Sequence, residues 1–204
     1  MKAYLVDGIR TPIGSFGGTL ASVRTDDLAA LTISELLKRN QSLDPASVGD
    51  VIFGCANQAG EDNRNVARMA LLLAGMPFTV PGETVNRLCA SGLSAAVNGS
   101  RMLSMGDADV VIAGGVENMT RGPWVMSKAS QPFGRDSQLF DTSFGWRFIN
   151  PKLETVYGAD GMGVTAENLV EKYGISREDQ DAFAYRSHMK ATAARDEGRL
   201  SEEI

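Results

Sequence analysis

Apolar residues in this chain fall into two textures. Short unbroken runs at residues 3–6, 51–55 and 110–115 suit strands covered on both faces, and residues 83–86 read as a further strand. Between them, apolar positions recur at helical spacing. Thr25 can cap a helix with Asp26 and Asp27 in its first turn, with Leu28, Leu31, Thr32, Glu35 and Leu36 following the helical period and Asn40 at its end. Asp44-Pro45 begins a turn or short helix, and residues 65–74 form a predicted helix that stops at Gly75 before Pro77. Residues 91–105 are predicted as a helix with Leu93, Ala96, Val97 and Leu103 on one face, broken by Gly106-Asp107. Strand and helix alternate, which implies an α/β fold: a mixed, mainly parallel sheet with helices on both faces and right-handed crossovers. That domain is placed at residues 1–120.

From Thr120 the texture changes. Residues 121–150 are rich in Gly, Pro, aromatic and charged side chains and carry no clear period. Helices then resume. Thr165 opens a predicted helix over 166–173 that Gly174 closes. Ser176 with Asp179 resembles a capping box, with Asp in place of the usual Glu, before a long helix over 177–197 that Gly198 ends. Residues 121–204 therefore read as a separate, partly helical segment.

Composition narrows the function. The 204 residues are 43% hydrophobic with 22 glycines, and the net charge is −5. No basic patch points to nucleic acid or to an anionic membrane surface. No apolar run is long enough to span a bilayer, and the acid at Asp7 interrupts the first run where a signal peptide would stay apolar. Two cysteines, Cys55 and Cys89, are too few for a disulfide framework, which implies a reducing, cytoplasmic setting. With His188 the single histidine, no zinc site is expected and no bound cofactor is implied.

One cysteine stands where chemistry could use it. Cys89, in Val-Asn-Arg-Leu-Cys-Ala-Ser-Gly, follows a predicted strand and precedes a predicted helix. In a parallel α/β sheet, ligands bind beyond the carboxyl ends of the strands. The helix N-terminus adds partial positive charge and unpaired N–H groups, which favour the nucleophilic thiolate. Ala90, Ser91 and Gly92 permit a tight turn, and the Cys89 N–H could help bind an oxyanion. Most free cysteines are small buried hydrophobes, so position alone leaves both readings open. Cys55, with no such junction after it, reads as core.

Five ordered motifs add a resemblance. They are Arg10-Thr11-Pro12-Ile13-Gly14-Ser15-Phe16-Gly17-Gly18, Asn86-Arg87-Leu88-Cys89-Ala90-Ser91-Gly92, Ala113-Gly114-Gly115-Val116-Glu117-Asn118-Met119-Thr120, Met162-Gly163-Val164-Thr165-Ala166-Glu167-Asn168 and Ser176-Arg177-Glu178-Asp179-Gln180-Asp181. In these the chain resembles the thiolases, acyl-CoA C-acyltransferases. The resemblance implies the layered α-β-α-β-α thiolase fold, with residues 121–204 as the first part of an inserted loop domain covering the coenzyme A site. It implies that Cys89 is the residue that becomes acylated and that coenzyme A is a co-substrate rather than a bound cofactor. It further implies acyl-CoA partners and a homo-oligomer, dimer or tetramer. Leu153 and Met162 fall where the family places apolar side chains beside the pantetheine arm, though ordinary loop-domain core explains them as well. Residues 140–151 are similar to the 3-oxoadipyl-CoA thiolases, which makes Arg147 a candidate partner for a substrate's free carboxylate, with a structural ion pair as the competing reading. The chain departs from that subgroup at Gly163-Val164, where Pro-Glu is usual, and Gly161 stands where many thiolases carry His.

The family also uses a histidine in Gly-His-Pro and a second cysteine in Cys-x-Gly, and neither motif occurs in this sequence. His188 lies mid-helix among polar residues and reads as a surface residue. The chain thus reads as the N-terminal half of a thiolase, inactive by itself. Two alternatives stay open. One is a condensing enzyme like the 3-oxoacyl-carrier-protein synthases. The other is a non-catalytic acyl-CoA-binding protein with an idle Cys89. A thiol–disulfide enzyme is set aside because no C-x-x-C is present.

Overall fold

The computed structural model describes residues 2–204. Strand β1 (Asp50–Gly54) lies between β2 (Gly82–Val85) and β3 (Val111–Gly115), and both pairings are parallel. All five residues of β1 are buried, as its central place requires, and after Asp50 the strand carries no polar side chain. The side chains of Val51 and Phe53 meet α1 (Thr25–Arg39) and α2 (Val66–Leu73), where Ala29, Ile33, Ala67 and Leu71 complete the main core. Burying a side chain such as Leu71 or Ile33 contributes about 1.5–3 kcal/mol.

Helix α3 (Ser91–Met105) packs on β1 and β3, and here the expected face is reversed. Ser91, Ala95 and Gly99 are buried, whereas Leu93 is 70% and Val97 38% exposed. The cause is close approach. A Cβ on Gly54 would sit 2.3 Å from the Ser91 carbonyl carbon, and one on Gly99 would sit 3.0 Å from Val111 Cγ1. Only small residues at i, i+4 and i+8 fit such a contact, so the larger apolar side chains of α3 point away from the sheet.

Residues 3–6, expected as a strand, are not one. They join no ladder, and Leu5 is 95% exposed. An apolar run suits a strand but does not supply a neighbour. The segment is instead held just beyond, where the Arg39 guanidinium meets Asp7 Oδ1 at 2.9 Å and Asn40 Nδ2 donates to Asp7 Oδ2 at 2.8 Å. A groove of about 250 Å³ runs between residues 7–11 and residues 112–117.

Thr25 does not cap α1. Arg24 occupies the N-cap, and the Thr25 N–H donates to Glu61 Oε2 at 3.1 Å. Glu61 is also held by Arg121, whose Nε donates at 2.7 Å, and by Arg24 Nη1 at 3.3 Å. The Arg121 hydrogen bond leads the causes that lower its carboxyl pKa. A side chain distant in sequence thus does the capping. Two other ends fall where expected: Asn40 closes α1, and Gly106 closes α3 at φ 82°. Asn65, expected inside α2, is instead its N-cap, its side chain accepting the Arg68 N–H.

The chain divides into two units, Met1–Pro123 and Trp124–Ile204. The second contains a two-stranded antiparallel hairpin, β4 (Trp124–Met126) with β5 (Leu139–Asp141), in the stretch that carries no period in sequence. Strands of three residues are too short to show one. Then come α4 (Pro151–Tyr157), α5 (Met162–Tyr173) and α6 (Arg177–Asp196). Helix α5 begins at Met162, ahead of the expected Thr165. Ser176 Oγ accepts from the Asp179 N–H at 3.1 Å and donates to Asp179 Oδ2 at 2.8 Å. The shorter Asp makes the return bond to the hydroxyl rather than to the Ser176 N–H. No residue of α4, α5 or α6 is buried. Among the described residues, no helix is long and apolar enough to cross a membrane.

Candidate active site

The parallel register brings the carboxyl ends of β1, β2 and β3 to one end of the sheet. Cys55 follows β1, the Cys89 turn follows β2, and Val116-Glu117 follow β3. Gly54 O accepts from the Val116 N–H at 3.0 Å, and the Cys55 N–H donates to Val85 O at 3.1 Å, so the three exits are tied together.

Residues 86–90 carry the chain from β2 directly into α3. The reversal needs a left-handed residue, and Leu88 supplies it at φ 52°. A non-glycine residue there costs on the order of 1–2 kcal/mol, so the turn must be held from outside. Leu88 is held at both ends of its backbone. Its N–H donates to Asn86 Oδ1 at 2.9 Å, and its carbonyl accepts the Ser91 N–H at 3.0 Å and the Ser91 hydroxyl at 2.6 Å. Ser91 Oγ in turn accepts the Arg87 N–H at 2.9 Å. The result is a sharp elbow that leaves Cys89 exposed, two residues before the first residue of α3. An accessible thiol at a helix N-terminus, beyond the end of a parallel sheet, is suited to nucleophilic attack on a carbonyl carbon.

Cys55 has opposite surroundings. It is buried, and its S–H donates to Asp62 Oδ2 at 3.4 Å, with Glu117 Oε1 at 4.0 Å. Burial first, then the Glu117 and Asp62 charges, push its pKa up to about 12. The ligand atoms of Cys55, Asp62 and Glu117 lie within 4.8 Å of one another, close enough to hold a metal ion. The carboxylates, however, already accept backbone N–H groups. Glu117 takes those of Ala56 at 2.9 Å and Asn57 at 3.0 Å, and Asp62 takes those of Gln58 at 3.1 Å and Gly60 at 2.9 Å. The cluster serves as a clasp on the loop after β1.

Arg147, Leu153 and Met162 belong to the second unit, and Cys89 to the first. Arg147 is half-buried beside Phe148, whose ring stacks at a tilt 4.8 Å from that of Phe140. Leu153 lies on α4 at 41% exposure, and Met162 opens α5 at 80% exposure. His188 is exposed on α6. Asn86 and Glu117 act as supports that no motif in the sequence marked as such. Asn at a strand exit ahead of a helix is a usable signal, because its short amide can bond the backbone two residues on.

Residues 3–204 match the family model described as thiolase, N-terminal domain. The chain is 57% identical over 203 residues to the 3-oxoadipyl-CoA/3-oxo-5,6-dehydrosuberyl-CoA thiolase of Escherichia coli K12, covering 100% of this chain and 51% of that protein. It is 56% identical over 202 residues to the beta-ketoadipyl-CoA thiolase of Acinetobacter baylyi, covering 99% of this chain and 50% of the relative. The crystal structure of the Bacillus anthracis acetyl-CoA acetyltransferase superposes with a TM-score of 0.79 at 36% identity, over 97% of this chain and 49% of that one. The chain spans about half the length of the curated relatives it matches.

Proposed function

We propose, from the premise that this chain belongs to the thiolase family, that it supplies the nucleophile-bearing half of an acyl-CoA C-acyltransferase acting on 3-oxoacyl-CoA. Residues 1–120 form its N-terminal thiolase domain and residues 121–204 the first part of a loop domain over the coenzyme A site. The reading rests on one observation: Cys89 is exposed on a held strand-to-helix elbow at the ligand-binding end of a parallel sheet.

The Cys89 thiolate attacks the 3-keto carbon. The bond between carbons 2 and 3 breaks, its electron pair is protonated at carbon 2, and acetyl-CoA leaves. The thiol of a second coenzyme A then attacks the acyl-cysteine, forms the shortened acyl-CoA and returns the Cys89 sulfur. In this second step one thioester replaces another, so it runs in either direction with little change in energy, whereas the first step exchanges a carbon–carbon bond for a thioester. On this reading the Cys89 N–H is one donor to the oxyanion. The general base and the acid for carbon 2 come from outside these residues, since His188 sits exposed on α6. This chain alone is therefore expected to be inactive.

The names of the similar thiolases support a 3-oxo dicarboxylic acyl chain. On this reading Arg147 pairs with its free carboxylate, and Leu153 and Met162 lie beside the pantetheine. Exposed apolar side chains such as Leu93 and Phe183 support association into a homo-oligomer. A cytoplasmic setting fits two unpaired cysteines. The test uses protein expressed from the complete reading frame. Coenzyme A-dependent cleavage of 3-oxoadipyl-CoA, with an acyl adduct on the Cys89 peptide by mass spectrometry, is the expected result. Cleavage without that adduct, or acyl transfer only to an acyl carrier protein, would overturn it.

A further inference from the structure

Asn86 ties the turn that carries Cys89 to the loop that leaves β1. The Asn86 side chain makes two bonds in opposite directions. Its Oδ1 accepts the Leu88 N–H at 2.9 Å, fixing the left-handed residue directly before the cysteine. Its Nδ2 donates to Ala56 O at 3.0 Å, on the loop that leaves β1. That loop is gripped in turn from β3, because the Ala56 and Asn57 N–H groups donate to the two Glu117 oxygens at 2.9 and 3.0 Å. A continuous path of hydrogen bonds therefore runs from the exit of β3, through the exit of β1, to the elbow after β2.

We infer that Asn86, backed by Glu117, is the positioning residue that holds the Cys89 elbow in its reactive geometry. The inference rests on the reading of Cys89 as nucleophile given above. The physical need is specific. Leu88 at φ 52° would relax toward the right-handed region if its N–H lost its acceptor, and that rotation moves the next residue, Cys89. Aspartate at position 86 keeps the acceptor for Leu88 while losing the donor to Ala56. Alanine loses both. Displacing a reacting atom by about 1 Å costs on the order of a hundredfold in rate.

The experiment compares Asn86→Ala, Asn86→Asp, Glu117→Gln and Cys89→Ser in protein from the complete reading frame, reading kcat and KM for cleavage together with the thermal midpoint. Asn86→Ala is expected to lower kcat by about ten- to a hundredfold with KM for the acyl-CoA little changed. Asn86→Asp is expected to recover much of that loss, and Glu117→Gln to fall between wild type and Asn86→Ala. Asn86→Ala with wild-type kcat would overturn the inference, as would Asn86→Asp no better than Ala at an equal thermal midpoint. Should Asn86→Ala fail to fold, the other two variants decide: a kcat several-fold below wild type in Glu117→Gln with KM little changed supports the inference, and wild-type kcat in both Asn86→Asp and Glu117→Gln overturns it. A Cys89→Ser variant that still turns over would instead remove the nucleophile reading, whatever the Asn86 variants do.

Discussion

Cys55, directly after β1, and Cys89, four residues after β2, stand at the same end of one sheet in opposite surroundings. Cys55 is closed in by the loop that follows it, with Asp62 and Glu117 beside its sulfur, and its pKa is pushed up to about 12. Cys89 is lifted out of the sheet by the turn at Leu88 and left exposed at the start of α3. The same element becomes a small core residue in one place and a candidate nucleophile in the other. The next few residues decide which: after β1 a loop of backbone N–H groups folds back over carboxylates, and after β2 the chain enters a helix at once.

The largest effect expected from breaking this contrast is on turnover. Under the proposed function, in protein from the complete reading frame, Cys89→Ser should lower cleavage by about a thousandfold or more, with a thermal midpoint close to wild type because the side chain is exposed. Cys55→Ala should leave turnover within a few-fold. Alkylation sharpens the same contrast. A rise from 9.0 to about 12 leaves Cys55 about a thousandfold less thiolate than an ordinary thiol near neutral pH. Iodoacetamide followed by peptide mapping should therefore mark Cys89 in the native protein and both cysteines in denaturant. Comparable native labelling of Cys55 would contradict its closed surroundings.

The two units invite a smaller test. Leu71→Ala, in the core between α2 and β1, should destabilise the first unit by about 2–5 kcal/mol in denaturant unfolding. Tyr157→Ala on α4, where no residue is buried, should stay within about 0.5 kcal/mol. The smallest expected effect concerns pH. The folded-state pKa of Cys55 is raised, so its contribution to stability is fully present below the unfolded value near 9. It is lost as pH rises from there toward 12, because the unfolded chain releases a proton that the folded chain keeps. Cys55→Ala should cost about 1 kcal/mol at neutral pH. Its deficit should narrow between pH 9 and 11, as read by thermal midpoints; a deficit constant across that range would mean the thiol does not titrate as described.

Much of the first unit was legible from apolar runs and end signals. β1, α2, α3 and β3 lie within a residue or two of their expected bounds, because unbroken runs and breaks such as Gly75 and Gly106 act locally. The junction that presents Cys89 was legible for the same reason. The inward face of α3 was not, since Leu93 and Val97 look like core until Gly54 draws the helix backbone onto the sheet. Nor was the cap of α1, which Glu61 supplies from 36 residues away. The β4–β5 hairpin was hidden by strands of three residues.

By itself, the order of residues determined that a strand would run into a helix with a cysteine between them. That outcome depends on neighbours in sequence. Tertiary structure decided which face of α3 meets the sheet, that residues 3–6 find no ladder, and that Cys55 is closed in while Cys89 is left open. Each of these depends on how closely two backbones approach, or on a carboxylate arriving from a distant strand, and no local pattern records either.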